Sequence, residues 1–247
     1  MVKKELIDIG GRHLFLSTSG KGTPTVLLEA GLGDRSDIWE MVQPAVAEFT
    51  QVCSYDRAGQ GRSDSAFTPR TYQDMVDDLH ALLVKAEINP PYILVGHSFG
   101  GMNVRLYASC FPQEIVGMVL VDAVHEDRDV GFETVLSDEL IQRNKAYLQN
   151  PNRNSECVDK IESASQLRIA RRTFEFPIII LTRGLPDEVD SVWPSEALQR
   201  VEAELQREFL KLSPKSDLII AKNSGHFIQT DEPELVVNAI QKIITGS

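Results

Sequence analysis

A serine, a histidine and a handful of carboxylates in this chain stand where short polar loops follow apolar runs. Ser98 lies between the glycines of ILVGHSFGG, residues 93–101. A serine hydroxyl attacks a carbonyl only when a base whose proton affinity lies near neutral pH removes its proton, so histidine is the fitting partner. That histidine needs a carboxylate on its far ring nitrogen to fix the tautomer and steady the imidazolium. Such a set performs two-step acyl transfer. Gly-x-Ser-x-Gly also arises by chance, so Ser98 read alone is equally a small residue in a tight turn. Gly96 and Gly100 leave room for a close strand-to-helix crossing.

His226 is the base candidate. It follows Asn223-Ser224-Gly225, a loop composition with no apolar periodicity to bury it. The other histidines are placed less well: His97 shares the serine's own turn, His80 falls in a helical pattern, His13 in an early strand and His125 at the start of a polar segment. For the acid, Asp187 in TRGLPD ranks first, with Asp122 (ending VLVD) and Asp190 as alternatives and Glu188 behind them. The oxygen that turns anionic during attack needs donors already in place. The backbone N–H groups of Phe99 and of Leu32 in EAGLGD are the candidates, although Gly31 and Gly33 also read as plain turn formers.

The elements that must carry these residues alternate. Residues 3–9 and 12–17 read as a hairpin around Gly10-Gly11. TVLLEAG, QVCSYD, YILVG, IVGMVLVD, PIIILTRG and SDLIIA read as strands. Between them, helical spacing covers residues 37–48, the stretch from Thr71 with Tyr72, Met75, Leu79, Leu82 and Leu83, and residues 98–110. Later come the stripe Leu198, Val201, Leu205, Phe209 and Leu212 and a last helix at 232–245. Thr71 with Asp74, and Asp231 with Glu234, have capping-box spacing. Fully apolar strands alternating with helices imply a parallel sheet covered on both faces. Ligands of such sheets bind beyond the carboxyl ends of the strands, where Ser98, Asp187 and His226 all fall. The alternation lapses over 123–174, a polar stretch with helical patterns near 137–149 and 155–172, which reads as an inserted helical lid.

Composition narrows the partners. The 247 residues suit one domain with a small insertion. A formal net charge of −11 argues against nucleic acid or an anionic membrane surface. The N-terminal MVKKELIDIGG lacks the apolar core of a secretory signal, and no window is apolar enough to span a bilayer, so a cytoplasmic location is expected. Cys53, Cys110 and Cys157 lack metal-ligand spacing and read as reduced thiols, Cys53 buried in a strand.

Along nearly its whole length the chain resembles the α/β-hydrolase family. The resemblance rests on EAGLGD, YDRAGQGRSD, GHSFGG, LVLVDAVHED, TRGLPD and NSGHFIQTDEPELV, in the order Ser, Asp, His. It implies an α/β-hydrolase fold: a mostly parallel eight-stranded sheet flanked by helices, formed by residues 1–122 and 175–247, with 123–174 as a helical cap between strands six and seven. It maps nucleophile, acid and base onto Ser98, Asp187 and His226, with Leu32 and Phe99 as oxyanion donors, and assigns no chemical role to Asp56 or Arg57. Glu29-Ala30 departs from the histidine that many relatives carry before the glycine, which leaves the support of that loop open.

The resemblance implies a carboxylic-ester hydrolase acting on a small-molecule acyl substrate, with no metal or organic cofactor. Homo-oligomerisation is compatible with it. Thioesterase, lactonase, amidase and carbon–carbon bond hydrolase share the same elbow and triad, and a non-catalytic ligand receptor can retain all three residues. A serine at the elbow counts against haloalkane dehalogenase chemistry, for which similar proteins use an aspartate there.

Overall fold

A computed structural model describes residues 2–186 and 192–246. Among these, eight strands form one sheet: β1 (Lys3–Asp8), β2 (His13–Ser19), β3 (Thr25–Glu29), β4 (Val52–Tyr55), β5 (Tyr92–His97), β6 (Ile115–Val121), β7 (Ile178–Arg183) and β8 (Ser216–Ala221). Their spatial order is β1-β2-β4-β3-β5-β6-β7-β8. β2 runs antiparallel to β1 and β4, and the remaining pairs are parallel. The carboxyl ends of β3 through β8 therefore share one edge of the sheet.

Alternate residues of the central strands feed two cores. Leu27, Leu94, Met118, Leu120, Ile178 and Ile180 pack on one side with α2 (Tyr72–Lys85) and α3 (Gly100–Cys110). Val26, Leu28, Ile93, Val95, Val119, Val121 and Ile179 pack on the other with Trp39, Val46 and α9 (Pro233–Thr245). Period-2 alternation with both faces apolar is why these strands read as continuous hydrophobic runs. Each fully buried Leu, Ile or Val contributes roughly 1.5–3 kcal/mol.

Several local expectations shift. Residues 37–48 form a 3-10 turn at Ser36–Trp39 and only a short α1 (Gln43–Val46), because Pro44 suits the start of a helix and not its interior. Ser98 and Phe99 stay outside α3, since Ser98 has a left-handed backbone, φ 52°. The stripe ending at Leu212 belongs to α7 (Ser195–Glu208) only as far as Glu208, after which the chain tightens into a 3-10 turn. Thr71 and Asp74 do form their capping box, with the Thr71 N–H donating to Asp74 at 2.7 Å. Asp231 and Glu234 do not: a short α8 (Ile228–Asp231) precedes α9, and Asp231 accepts from the Gly225 N–H at 3.0 Å instead.

Between β6 and β7 the chain forms no strand. It carries α4 (Arg128–Glu133), which the polar sequence concealed, α5 (Asp138–Leu148) and α6 (Lys160–Ala170). α6 begins five residues later than the 155–172 pattern suggests. Val158 is engaged in a bridge to Arg70, and the Asp159 side chain caps the helix by accepting from the Glu162 N–H at 2.9 Å. Cys53, Cys110 and Cys157 are free thiols, with Cys53 buried in β4. Among the described residues no helix is long and apolar enough to cross a membrane.

Candidate active site

Ser98 follows β5 directly, and its N–H donates to the Val121 carbonyl at 3.0 Å. A non-glycine residue held in the left-handed region costs of order 1–3 kcal/mol and persists only where its surroundings enforce it. Here Gly96 and Gly100 permit the turn. A Cβ on Gly100 would sit 2.5 Å from the Ala30 carbonyl oxygen, and one on Gly96 would sit 2.7 Å from Val104 Cγ2. The crossing glycines thus bring the start of α3 against the chain leaving β3.

His226 lies in the loop after β8, and side chains from the chain's last helices shape that loop. Ser224 Oγ donates to Glu232 at 2.6 Å and Asn223 N–H to the same carboxylate at 2.9 Å, while Asp231 holds Gly225. His97 completes the support: its Nε2–H donates to the His226 carbonyl at 3.0 Å, and the two rings lie 4.7 Å apart. Burial, the dominant influence, pushes the His97 pKa down, so this ring stays neutral and serves as a fixed donor. Its role was hidden because its partner is 129 residues away.

Three of the candidate side chains are joined by two contacts. Ser98 Oγ is 2.9 Å from His226 Nε2, and His226 Nδ1 is 2.6 Å from Asp122 Oδ2. The hydroxyl can donate to Nε2 only if Nδ1 carries the ring proton, and Asp122 accepts that proton. Asp122 stands immediately after β6, with φ 42°, and its N–H is fixed to the Leu181 carbonyl at 2.7 Å. Arg183 Nε donates to the same carboxylate at 2.7 Å. Burial opposes ionisation of Asp122, but the His226 hydrogen bond and the Arg183 charge outweigh it and hold the carboxyl below the usual range. Asp187, the first-ranked acid, and its alternates Asp190 and Glu188 lie outside the described residues. Asp122, ranked behind Asp187, is the acid seated on Nδ1.

Phe99 follows the serine directly, and Leu32 lies two residues beyond Ala30, whose carbonyl oxygen meets Gly100 at the start of α3. Among the described residues neither of their N–H groups is engaged in a hydrogen bond. A cavity of about 550 Å³ opens onto Ser98 and His226, walled by Val124, His125, Arg183 and Gln206. A second, of about 570 Å³, shares Val124, His125 and Arg128 with it and is lined by Phe99, Phe132, Tyr147 and Trp193.

His125, Glu126 and Asp127 bring ligand-type atoms within 4.8 Å of one another. Their charge is already matched: Arg105 donates to Glu126 at 2.6 Å, Arg168 to Asp127 at 2.7 Å, and Arg171 to both carboxylates. His125 Nδ1 accepts from the Asp127 N–H at 3.0 Å. The donor set is spent internally and does not suit a cation.

A sequence profile of the alpha/beta hydrolase fold matches residues 24–153, slightly more than half of the chain. The chain belongs to the alpha/beta hydrolase family. Within this family it is 29% identical over 224 residues to the uncharacterized protein YqjL of Bacillus subtilis strain 168, covering 91% of this chain and 85% of that one. Among solved structures it is similar to the epoxide hydrolase CorEH, with TM-score 0.71 and 19% identity over 100% of this chain and 99% of the other. It is also similar to the serine hydrolase CarC of carbazole degradation, with TM-score 0.65 and 19% identity over the whole of both chains. At such identities these structures establish the fold, and their differing chemistries leave the reaction to be argued from the site.

Proposed function

We propose that the protein is a serine hydrolase that cleaves carboxylic esters of small to medium acyl groups through an acyl-enzyme. The observation that carries this reading is the line Ser98 Oγ, His226 Nε2, His226 Nδ1, Asp122 Oδ2, with contacts of 2.9 and 2.6 Å. His226 takes the Ser98 proton as Oγ bonds to the ester carbonyl carbon. The carbonyl oxygen becomes anionic and receives the N–H groups of Leu32 and Phe99. Asp122 holds the tautomer and stabilises the imidazolium, which returns its proton to the departing alcohol. Water, deprotonated by the same ring, then attacks the acyl-enzyme and frees Ser98. Every proton is carried by these side chains, so the cycle calls on no further group.

The cavity of about 550 Å³ at the serine and the neighbouring one of about 570 Å³, which shares Val124, His125 and Arg128 with it, give room for an acyl chain and a leaving group. Residues 123–174 act in this reading as a cap, since Val124, His125 and Arg128 wall both cavities and α4 to α6 roof the second. Multiple turnover of p-nitrophenyl butyrate by the wild type, abolished in Ser98→Ala, is expected. A matched thioester, lactone and amide assayed alongside define the bond class. A wild type that releases no p-nitrophenol beyond the blank, or an S98A variant that stays active, defeats the reading.

A further inference from the structure

The loop that offers the Leu32 N–H has glycines on both sides of that residue, Gly31 and Gly33, the latter at φ 80°. Glycine accepts many backbone conformations, so the sequence Gly-Leu-Gly by itself does not decide which way the Leu32 N–H points. A rotation of that peptide plane would redirect the donor that the proposed reaction requires. The loop's own turn holds it in part, with the Asp34 N–H donating to the Gly31 carbonyl at 3.2 Å, and further support comes from outside the loop.

Two buried side chains supply it. Arg57 Nη2 donates to the Gly31 carbonyl at 2.5 Å, and its Nη1 donates to the Ala30 carbonyl at 2.8 Å. The Gly31 carbonyl and the Leu32 N–H belong to one planar trans peptide and point in opposite directions. Fixing the oxygen on a guanidinium therefore fixes the N–H on the far side. The next peptide is held as well, because the Gly33 N–H donates to Glu156 Oε1 at 2.7 Å. Glu156 comes from the inserted segment and grips the same guanidinium, accepting from Arg57 Nη2 at 2.5 Å and Nε at 3.0 Å. Its side chain is 0% exposed and that of Arg57 7%. Glu29, the last residue of β3, takes Arg57 Nη1 at 2.5 Å and secures the other end of the fork.

We propose that Arg57 and Glu156 are positioning residues that clamp the Leu32 N–H in the orientation that receives the oxyanion, so that the inserted segment completes the oxyanion site. The proposal rests on the serine-hydrolase reading above. The guanidinium on the Gly31 carbonyl also polarises that peptide and strengthens its N–H as a donor. Lysine cannot replace the planar fork, which serves two carbonyls and two carboxylates at once.

The test compares Arg57→Lys, Glu156→Gln and Glu156→Asp with Arg70→Gln. Arg70 also donates to Glu156 but makes no side-chain bond to the Gly31–Gly33 backbone. Steady-state hydrolysis of p-nitrophenyl butyrate and inhibition by an alkyl trifluoromethyl ketone, which forms an anionic tetrahedral adduct, are read well below each variant's Tm. R57K, E156Q and E156D are expected to lose about 10²-fold in kcat, the scale of one lost oxyanion donor, with KM within about 3-fold. Ketone affinity should fall in step with kcat/KM, while R70Q keeps both kcat and ketone affinity despite a lowered Tm. E156D and R57K preserve charge, so the comparison survives a failure of E156Q to fold. Retained kcat in the folded clamp variants, or equal losses in R70Q, overturns the clamp alone. A wild type that never acylates Ser98 overturns the hydrolase reading and the clamp with it.

Discussion

Two clusters of buried charge flank the nucleophile elbow, and they are built to opposite ends. In the first, Asp122 is buried with Arg183 and His226, yet the chain of bonds ends at a Ser98 hydroxyl that faces a cavity. In the second, Glu156 Oε1 accepts from Arg57 and Gly33, its Oε2 accepts from Arg57 and Arg70, and Arg57 also holds Glu29. Both clusters meet the cost of desolvating charge with opposite charge and hydrogen bonds. In the proposed reaction only the first leaves a reactive atom at its end. The second ties its carboxylates to guanidinium groups and to the Gly31–Gly33 backbone, with the buried Arg70 Nε left over, and none of its groups reaches Ser98, which suits it to holding backbone still and not to moving protons. What separates the two clusters is that only the first ends on a hydroxyl at the wall of a cavity.

The sharpest way to break this contrast is at the acid. Asp122→Asn keeps the shape of the first cluster but offers an amide where His226 Nδ1–H needs an acceptor, which favours the wrong tautomer. A loss of about 10³–10⁴-fold in kcat/KM is expected, in line with the equivalent change in serine proteases. Asp187→Asn, measured in the same assay, should stay within about 3-fold of wild type. The opposite result, with D187N crippled and D122N active, returns the acid to the loop after β7.

The same residues show what a sequence can and cannot disclose. The strands were legible because both faces are buried, so each appears as an apolar run of strand length. Ser98 and His226 were legible because glycine-rich loops after strands leave a chemical signature. The acid was ambiguous since Asp122 and Asp187 both follow apolar strands, and only the placement of the β6 end against the β8 loop puts Asp122 on Nδ1. Arg57 was passed over as structural scaffolding. Its partner Glu156 is 99 residues away in a polar segment with no motif, so no spacing could link them. Asp231 has the spacing of a helix cap but is drawn off by the Gly225 N–H, a contact that fixes the histidine loop.

Stability sharpens the comparison next. E156Q leaves the Arg57 and Arg70 guanidinium groups without their shared carboxylate, and breaking a buried pair this way costs about 3–5 kcal/mol. At roughly 2–4 °C per kcal/mol for a domain of this size, Tm should fall by about 6–20 °C in a calorimetric scan. S98A, which removes only the reactive end of the first cluster, should shift Tm by no more than about 2 °C, within the usual range of a surface-type change. Equal Tm losses in the two variants would erase the distinction between a holding cluster and a working one.

The smallest effect concerns a histidine that belongs to neither cluster's chemistry. His125 walls both cavities, and burial together with the nearby Arg105 charge pushes its pKa down to about 4, with Glu126 and Asp127 offsetting part of the shift. A histidine whose folded pKa lies below its unfolded value of about 6.5 binds more protons when unfolded. Its contribution to stability is therefore complete above the unfolded pKa and is lost as pH falls through the folded one. Between pH 7 and pH 5 the loss should reach about 2 kcal/mol, from roughly 1.4 kcal/mol per unit of unmatched titration. Urea unfolding at the two pH values measures it, and His125→Gln should remove this part of the slope. An H125Q variant with an unchanged slope between pH 7 and pH 5 would mean that His125 does not carry the acid sensitivity; Glu126 beside it, held down to about 2 mainly by Arg105 against the opposing effect of burial, adds its own loss only at lower pH, below its ordinary carboxylate range.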